Sequence, residues 1–212
     1  MTPLVAVLDY GIGNLRSAQK ALQRCGADAR LTVDPEEIAA ADAVVLPGVG
    51  AFGACMDALR GVGLEVVVHA AIRSGRPFLG ICVGMQMLFD GSDEDAGAVG
   101  LGVIPGRVRW ITDQLPRPQM QWNQLQLTAT HREEAMFTDL PVSPWMYFVH
   151  SLHGVPDDPS VVAATCDYGG AVNAAFRLSN VFATQFHPEK SGEDGLRMLS
   201  NFVTHVRAEV LA

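Results

Sequence analysis

The sequence predicts an α/β fold: a mostly parallel central sheet flanked by helices, with an antiparallel section added in the C-terminal half. Aliphatic runs of strand length, Leu4 to Leu8, Ala43 to Leu46 and Pro77 to Ile81, alternate with stretches whose apolar residues recur at helical spacing. After Gly102 the texture changes to short β-like runs separated by proline and glycine. Strands that alternate with helices need crossover connections, and such a sheet takes its ligands beyond the carboxyl ends of its strands.

Composition narrows the class. Of 212 residues, 49% are apolar and 18% charged, enough to cover a sheet on both faces within a single domain spanning 1–212. A formal net charge of −8 argues against nucleic acid as the main partner. The four cysteines, Cys25, Cys55, Cys82 and Cys166, are dispersed without a C-x-x-C pair. That pattern fits a reducing compartment better than a disulfide framework or a zinc site. The opening MTPLVAVLDY lacks a basic region, and its apolar run is too short for a signal or a membrane span. The expectation is a soluble cytoplasmic protein. His69, His131, His153 and His205 have no metal-like spacing, and no metal or organic cofactor is called for.

Taken in order, Leu4 to Leu8 reads as a buried strand ending in the glycine-rich turn Asp9 to Asn14. Leu15, Ala18, Leu22 and Cys25 follow at helical spacing, with Gly26 as the cap. Gly11-x-Gly13 lacks the third glycine of a dinucleotide fingerprint and is read as a loop at the sheet's carboxyl edge. Ala29 to Val33 is a second strand, and Asp34-Pro35 opens a short helix with its cap and N1 proline. A third strand, Ala43 to Leu46, is broken by Pro47-Gly48-Val49-Gly50; helices over Ala51 to Arg60 and Leu64 to Arg73 come next. Gly91 to Gly100, acidic and aperiodic, reads as a mobile surface loop. Strands are expected at Arg107–Ile111, Gln124–Thr128, Met146–His150, Val161–Cys166, Ala171–Arg177 and Val181–Phe186, before a closing helix marked by Leu196, Leu199, Phe202, Val203 and Val206.

The chemistry centres on Arg76 to Asp90, RPFLGICVGMQMLFD. Cys82 stands between Gly80 and Gly84, where a strand turns at once into a helix whose apolar positions are Met85, Met87, Leu88 and Phe89. This is a nucleophile-elbow pattern with cysteine in the serine position. Small neighbours keep strand and helix from colliding. A helix N-terminus favours thiolate, and the Val83 amide becomes available to an oxyanion. Taken alone, the pentapeptide fits a buried packing cysteine equally well. The Pro47–Gly50 loop belongs at the same sheet edge, where the glycines around Val49 let a peptide N–H turn toward a substrate oxygen.

Two further residues tip the balance. His187 and Glu189 follow the last strand two positions apart, so in an extended segment they project together. An imidazole backed by a carboxylate suits a general base whose tautomer must be held. A cysteine elbow, a glycine loop and a His/Glu pair in one α/β chain point jointly to acyl transfer through a thioester. In that reading Cys82 attacks a carbonyl, amides at Val83 and near Val49 hold the oxyanion, and His187, oriented by Glu189, protonates the leaving nitrogen.

GICVGMQMLF together with FHPEKSG resembles the class I, triad-type glutamine amidotransferases. Within that class, LDYGIGNL, LPGVGAF, MQWNQL, YFVHSLH and ATQFHPEKSG resemble the glutaminase-subunit family of imidazole glycerol phosphate synthases, over essentially the whole chain. The resemblance implies a flavodoxin-like fold and hydrolysis of L-glutamine to glutamate and ammonia. The ammonia would pass to a (β/α)8 cyclase subunit of the HisF type, forming a heterodimer that makes imidazole glycerol phosphate and an aminoimidazole carboxamide ribonucleotide in histidine biosynthesis. It also implies that Cys82, His187 and Glu189 are the triad and that Gly48, Val49 and Gly50 form the oxyanion loop. Gln86 would line the glutamine pocket, and the backbone at His150 and Ser151 would hold the substrate's amino-acid end. Asn14, Met120, Trp122 and Lys190 would face the cyclase. The chain departs from the family in having Gln121 where glycine is usual and Leu152 where an aromatic residue is common. The alternatives are the glutaminase of another synthase, such as the pyridoxal phosphate one, and a non-catalytic binding module on the same fold.

Overall fold

The computed structural model describes residues 1–211. β1 (Leu4–Leu8), β2 (Asp28–Thr32), β3 (Ala43–Gly48) and β4 (Phe78–Cys82) alternate with α1 (Leu15–Arg24), α2 (Pro35–Ala40), α3 (Phe52–Gly61) and α4 (Leu64–Arg73). β4 turns directly into α5 (Val83–Gln86). Then come β5 (Gly91–Ser92), β6 (Gly106–Trp110), β7 (Gln119–Gln124), β8 (Gln126–Leu127), β9 (Trp145–His150) and β10 (Leu152–Pro156). β11 (Val162–Asp167), β12 (Ala171–Leu178), β13 (Val181–Thr184) and α6 (Gly192–Leu211) complete the chain.

One eight-stranded sheet runs in the order β2-β1-β3-β4-β13-β12-β11-β8. Its first five strands pair in parallel, and β12, β11 and β8 extend it antiparallel. β1 leads to β2 on one side while its neighbour β3 leads to β4 on the other, so the loops leaving the carboxyl ends of β1 and β3 diverge and open a crevice between them. The loops after β1, β3, β4 and β13 all gather at this edge. Local signals hold where the chain is locally determined: α1 buries Ala18, Ala21 and Leu22, and the Asp34 carboxylate accepts from the Glu36 amide at 2.9 Å to start α2. Among the described residues no helix is long and apolar enough to cross a membrane.

Four differences from the sequence reading have physical causes. β3 continues through Pro47 and Gly48, which pair with Ile81 and Cys82 of β4. Its ladder with β1 stops at Val45, and the Pro47 carbonyl turns to the Tyr10 hydroxyl on that side, so the missing N–H removes no ladder bond. The helix after Cys82 is a single turn, because the carbonyls of Met87, Leu88 and Phe89 accept from the amides of Leu101, Val103, Ile104 and Gly102. The Gly91–Gly100 stretch is tied down: Gly91 and Ser92 are buried, and the Glu94 carboxylate accepts from the Phe52 amide at 2.7 Å. The antiparallel section is divided, since β10-β6-β5 and β7-β9 form separate small sheets.

Glycine sets how closely β4 and its turn lie on the sheet. A side chain at Gly80 would meet the Met85 Cα at 3.1 Å, the strand–helix clearance expected of an elbow. Gly84 serves a different contact: a Cβ there would run into the Leu46 carbonyl of β3. Gly84→Ala is therefore expected to lower unfolding stability by about 1–3 kcal/mol, read from the urea midpoint. Gly61→Ala, at a helical glycine with open space around it, is expected to be neutral or to stabilise by about 0.5 kcal/mol.

Candidate active site

Cys82 sits at the corner between β4 and α5, with φ 56° and ψ −115°. A side-chain-bearing residue adopts such a conformation only at a cost of about 1–3 kcal/mol, and only where its surroundings dictate it. Here the β4 ladder, with Gly48 in register opposite Cys82, and the Gly84 contact dictate it. Cys82 lines a cavity of about 290 Å³ shared with Val49, Gly50, Val83, Gln86 and His187. His150, Ser151 and Leu152 close its other side. A larger cleft of about 370 Å³, around Asp42, Ser74, Arg76 and Glu209, lies at the amino edge of β3 and β4, away from the cysteine–histidine pair.

His187 follows β13 and is 2% exposed. Its Nδ1 lies 2.8 Å from Glu189 Oε1. The two meet through a short 3₁₀ turn over Pro188–Lys190, and the strand itself ends at Thr184. Two-residue alternation therefore named the right pair for the wrong reason. The turn is held by the Ser191 hydroxyl, which donates to the His187 carbonyl at 2.6 Å. With Nδ1 committed to Glu189, Nε2 is left for the sulfur. Burial alone would lower the imidazole's pKa; the Cys82 sulfur and the Glu189 carboxylate outweigh it and raise His187 to about 10. The imidazole is then cationic at neutral pH.

Glu189 is also held from the β1 loop, since Asn14 Nδ2 donates to Oε1 at 3.0 Å, while Oε2 is buried without a hydrogen-bond partner. Asn14 thus faces the carboxylate with its side chain. Of the other surface residues named from the resemblance, Met120 and Trp122 are 64% and 48% exposed on β7, and Lys190 is exposed. Gln121 is exposed on β7 opposite Phe148, and Leu152 is buried at the pocket wall.

The end of β3 and the loop after it are each fixed at a carbonyl. The Tyr10 hydroxyl donates to the Pro47 carbonyl at 2.6 Å, and the Cys55 thiol donates to the Val49 carbonyl at 3.2 Å. Gln86 Nε2 donates to the Leu152 carbonyl at 3.2 Å and to Gln185 Oε1 at 3.0 Å. His150 Nδ1 reaches the same Leu152 carbonyl at 2.7 Å, and the Ser151 carbonyl accepts from the Ile111 amide. Sequence reasoning missed Glu94, Pro118, Val149 and Gln185. Glu94 and Pro118 reach the cavity from loops with no motif of their own; Val149 lies within YFVHSLH and Gln185 within ATQFHPEKSG, where neighbouring residues drew the attention.

The chain matches the family described as Glutamine amidotransferase class-I over residues 6–206. It belongs to the class I glutamine amidotransferases. The imidazole glycerol phosphate synthase subunit HisH of Synechococcus elongatus is 48% identical to it, covering 99% of this chain and 97% of that protein. The subunit of the same description from Syntrophotalea carbinolica is 49% identical, over 94% and 98%. At this identity over full length, the chain falls in the same family as these HisH subunits. The fold also matches the solved structure of PurLQS from Thermotoga maritima, at TM-score 0.71 and 19% identity over 97% of this chain and 99% of that one.

Burial holds His150 and His153 down to about 4, far below an ordinary histidine. The Asn173 amide donates to His153 Nδ1 at 3.0 Å, so charging that ring would set donor against donor. The unfolded chain binds these protons near pH 6.5 and the folded chain does not until about pH 4. Stability should therefore be whole above about pH 6.5 and fall as the pH drops toward 4. Urea unfolding across this range is expected to show that loss, and His153→Gln should make it shallower.

Proposed function

We propose that this chain is the glutaminase subunit of an imidazole glycerol phosphate synthase, acting as one domain, with Cys82, His187 and Glu189 as its triad. The observation that carries the reading is the convergence of a strained, pocket-facing cysteine on a buried imidazole already committed to a carboxylate. The name shared by full-length relatives at 48–49% identity supports the choice of synthase.

In this mechanism the side-chain amide of glutamine enters the cavity, and the Cys82 thiolate attacks its carbonyl carbon. A C–S bond forms, and the electron pair moves to oxygen, which the amide of Val83 and an amide of the Gly48-Val49-Gly50 loop would receive. His187 gives its Nε2 proton to the leaving nitrogen, the C–N bond breaks, and ammonia departs. Water, deprotonated by His187, then attacks the thioester; glutamate leaves and the thiolate returns. Glu189 keeps Nδ1 protonated and stabilises the imidazolium. Gln86 and the His150–Ser151 segment flank the substrate.

Ammonia made this way is useful only if it is captured. We therefore assign a cyclase partner, bound as a heterodimer across the exposed Met120 and Trp122 face beside Lys190. The cytoplasm suits four unpaired cysteines.

Cys82→Ala should lower glutamine-dependent synthesis by roughly four to six orders of magnitude and leave synthesis from free ammonia intact. Loss of both activities would separate Cys82 from a glutaminase role. Glutamate release should also rise when a cyclase partner with its nucleotide ligand is added to the chain, since a ligand that prefers one loop conformation shifts the population toward it.

A further inference from the structure

Gln185 is a fully buried polar residue between β13 and His187, with no part in the mechanism as it stands. Its environment orients its amide. Gln86 Nε2 donates both to the Leu152 carbonyl and to Gln185. A carbonyl can only accept, so Gln86 must present its nitrogen here, and Gln185 must present its oxygen in return. The Gln185 nitrogen is thereby turned to Cys82, with Nε2 3.8 Å from Sγ. Among the described residues the sulfur is the one acceptor this nitrogen meets. Backbone bonds hold the residue in place, because the Gln185 amide donates to the Ala174 carbonyl of β12 at 2.8 Å.

A buried amide N–H aimed at a neutral thiol is poorly satisfied, since a thiol sulfur is a weak acceptor. Aimed at a thiolate, the same group makes a charge-assisted bond in buried surroundings, where such a bond is strengthened. The unmet hydrogen-bonding demand is relieved only when Cys82 ionises. We propose that Gln185 is a further catalytic residue of this site, whose side-chain amide holds the Cys82 sulfur in its thiolate form and aims it at the substrate carbonyl. The Leu152 carbonyl, Gln86, Gln185 and Cys82 then form one chain of hydrogen bonds running from the pocket wall to the nucleophile. This inference rests on the reading of Cys82 as the nucleophile.

Other groups face the sulfur or its histidine: His187 and, behind it, Glu189 after β13; Tyr10 after β1; Cys55 on α3; Glu94 and His150 across the cavity. Gln185 makes no hydrogen bond to any of these groups, so a shift in the ionisation of Cys82 reports the amide.

The experiment follows alkylation of Cys82 by iodoacetamide against pH in the full chain, reading the Cys82 peptide by mass spectrometry. The wild type, Gln185→Met, which keeps the bulk without the donor, and Gln185→Glu, which adds a like charge, are compared. The midpoint for Cys82 is expected to rise by about one pH unit in Gln185→Met, a tenfold loss of thiolate at any pH well below it, and further in Gln185→Glu. An unchanged midpoint in Gln185→Met overturns the inference and leaves the triad standing, whatever Gln185→Glu does. A wild-type Cys82 that alkylates no faster than Cys25 at any pH overturns the nucleophile reading and this inference with it. Should the Met variant not fold, the wild type decides: the side-chain amide protons of Gln185 are expected to shift in NMR when Cys82 is titrated or alkylated, and a flat signal overturns the proposal.

Discussion

The structure depends on one close approach, that of the turn after β4 onto the end of β3. Gly84 of α5 lies against the Leu46 carbonyl, and a Cβ at Gly48 would meet the Gly84 amide at 2.5 Å. Two backbones can come this near only where neither carries a side chain. The contact lowers the α5 turn onto the sheet, forces Cys82 into its left-handed φ, and sets the Val49–Gly50 loop beside the sulfur. Cys82 and the Val49–Gly50 loop are neighbours because the strands that carry them are neighbours in the sheet.

Around that corner the protein sorts its histidines by what faces them. His150 and His153 are buried without a carboxylate and held near 4; His187 is buried between Glu189 and Cys82 and held near 10. The same desolvation acts on all three, so the neighbouring charge decides the sign. Glu189 tolerates an unpartnered Oε2 because the adjacent cation balances its charge and Asn14 fills part of its hydrogen-bonding capacity. Asn14 belongs to the loop after β1, so motion of that loop reaches the Glu189 carboxylate through a single bond.

Much of the fold was legible because it is locally encoded. Leu64–Arg73 is read from sequence to the residue, and Asp34-Pro35 marks a helix start that the cap bond realises. β7 was not legible as a strand: of its residues only Gln119 is buried, so it shows no apolar face and pairs with β9 alone. β10 hides for another reason. Its His153 and Gly154 break the apolar pattern, yet Gly154 is small because the ring of Phe89 lies where its side chain would be. Both strands are specified by residues distant in the chain.

The sequence by itself determined the class of chemistry. Cysteine between two glycines after an aliphatic strand, and His187 with Glu189 after another, carry their meaning in residue type and short spacing. Tertiary structure decided how those groups meet and who assists them. It made the His187–Glu189 contact through a 3₁₀ turn, turned Asn14 to the Glu189 carboxylate, pinned Val49 through Cys55, and pointed Gln185 at the sulfur. The reason is physical: a hydrogen bond's partner and direction depend on the packing of elements far apart in sequence, and no local pattern encodes that distance.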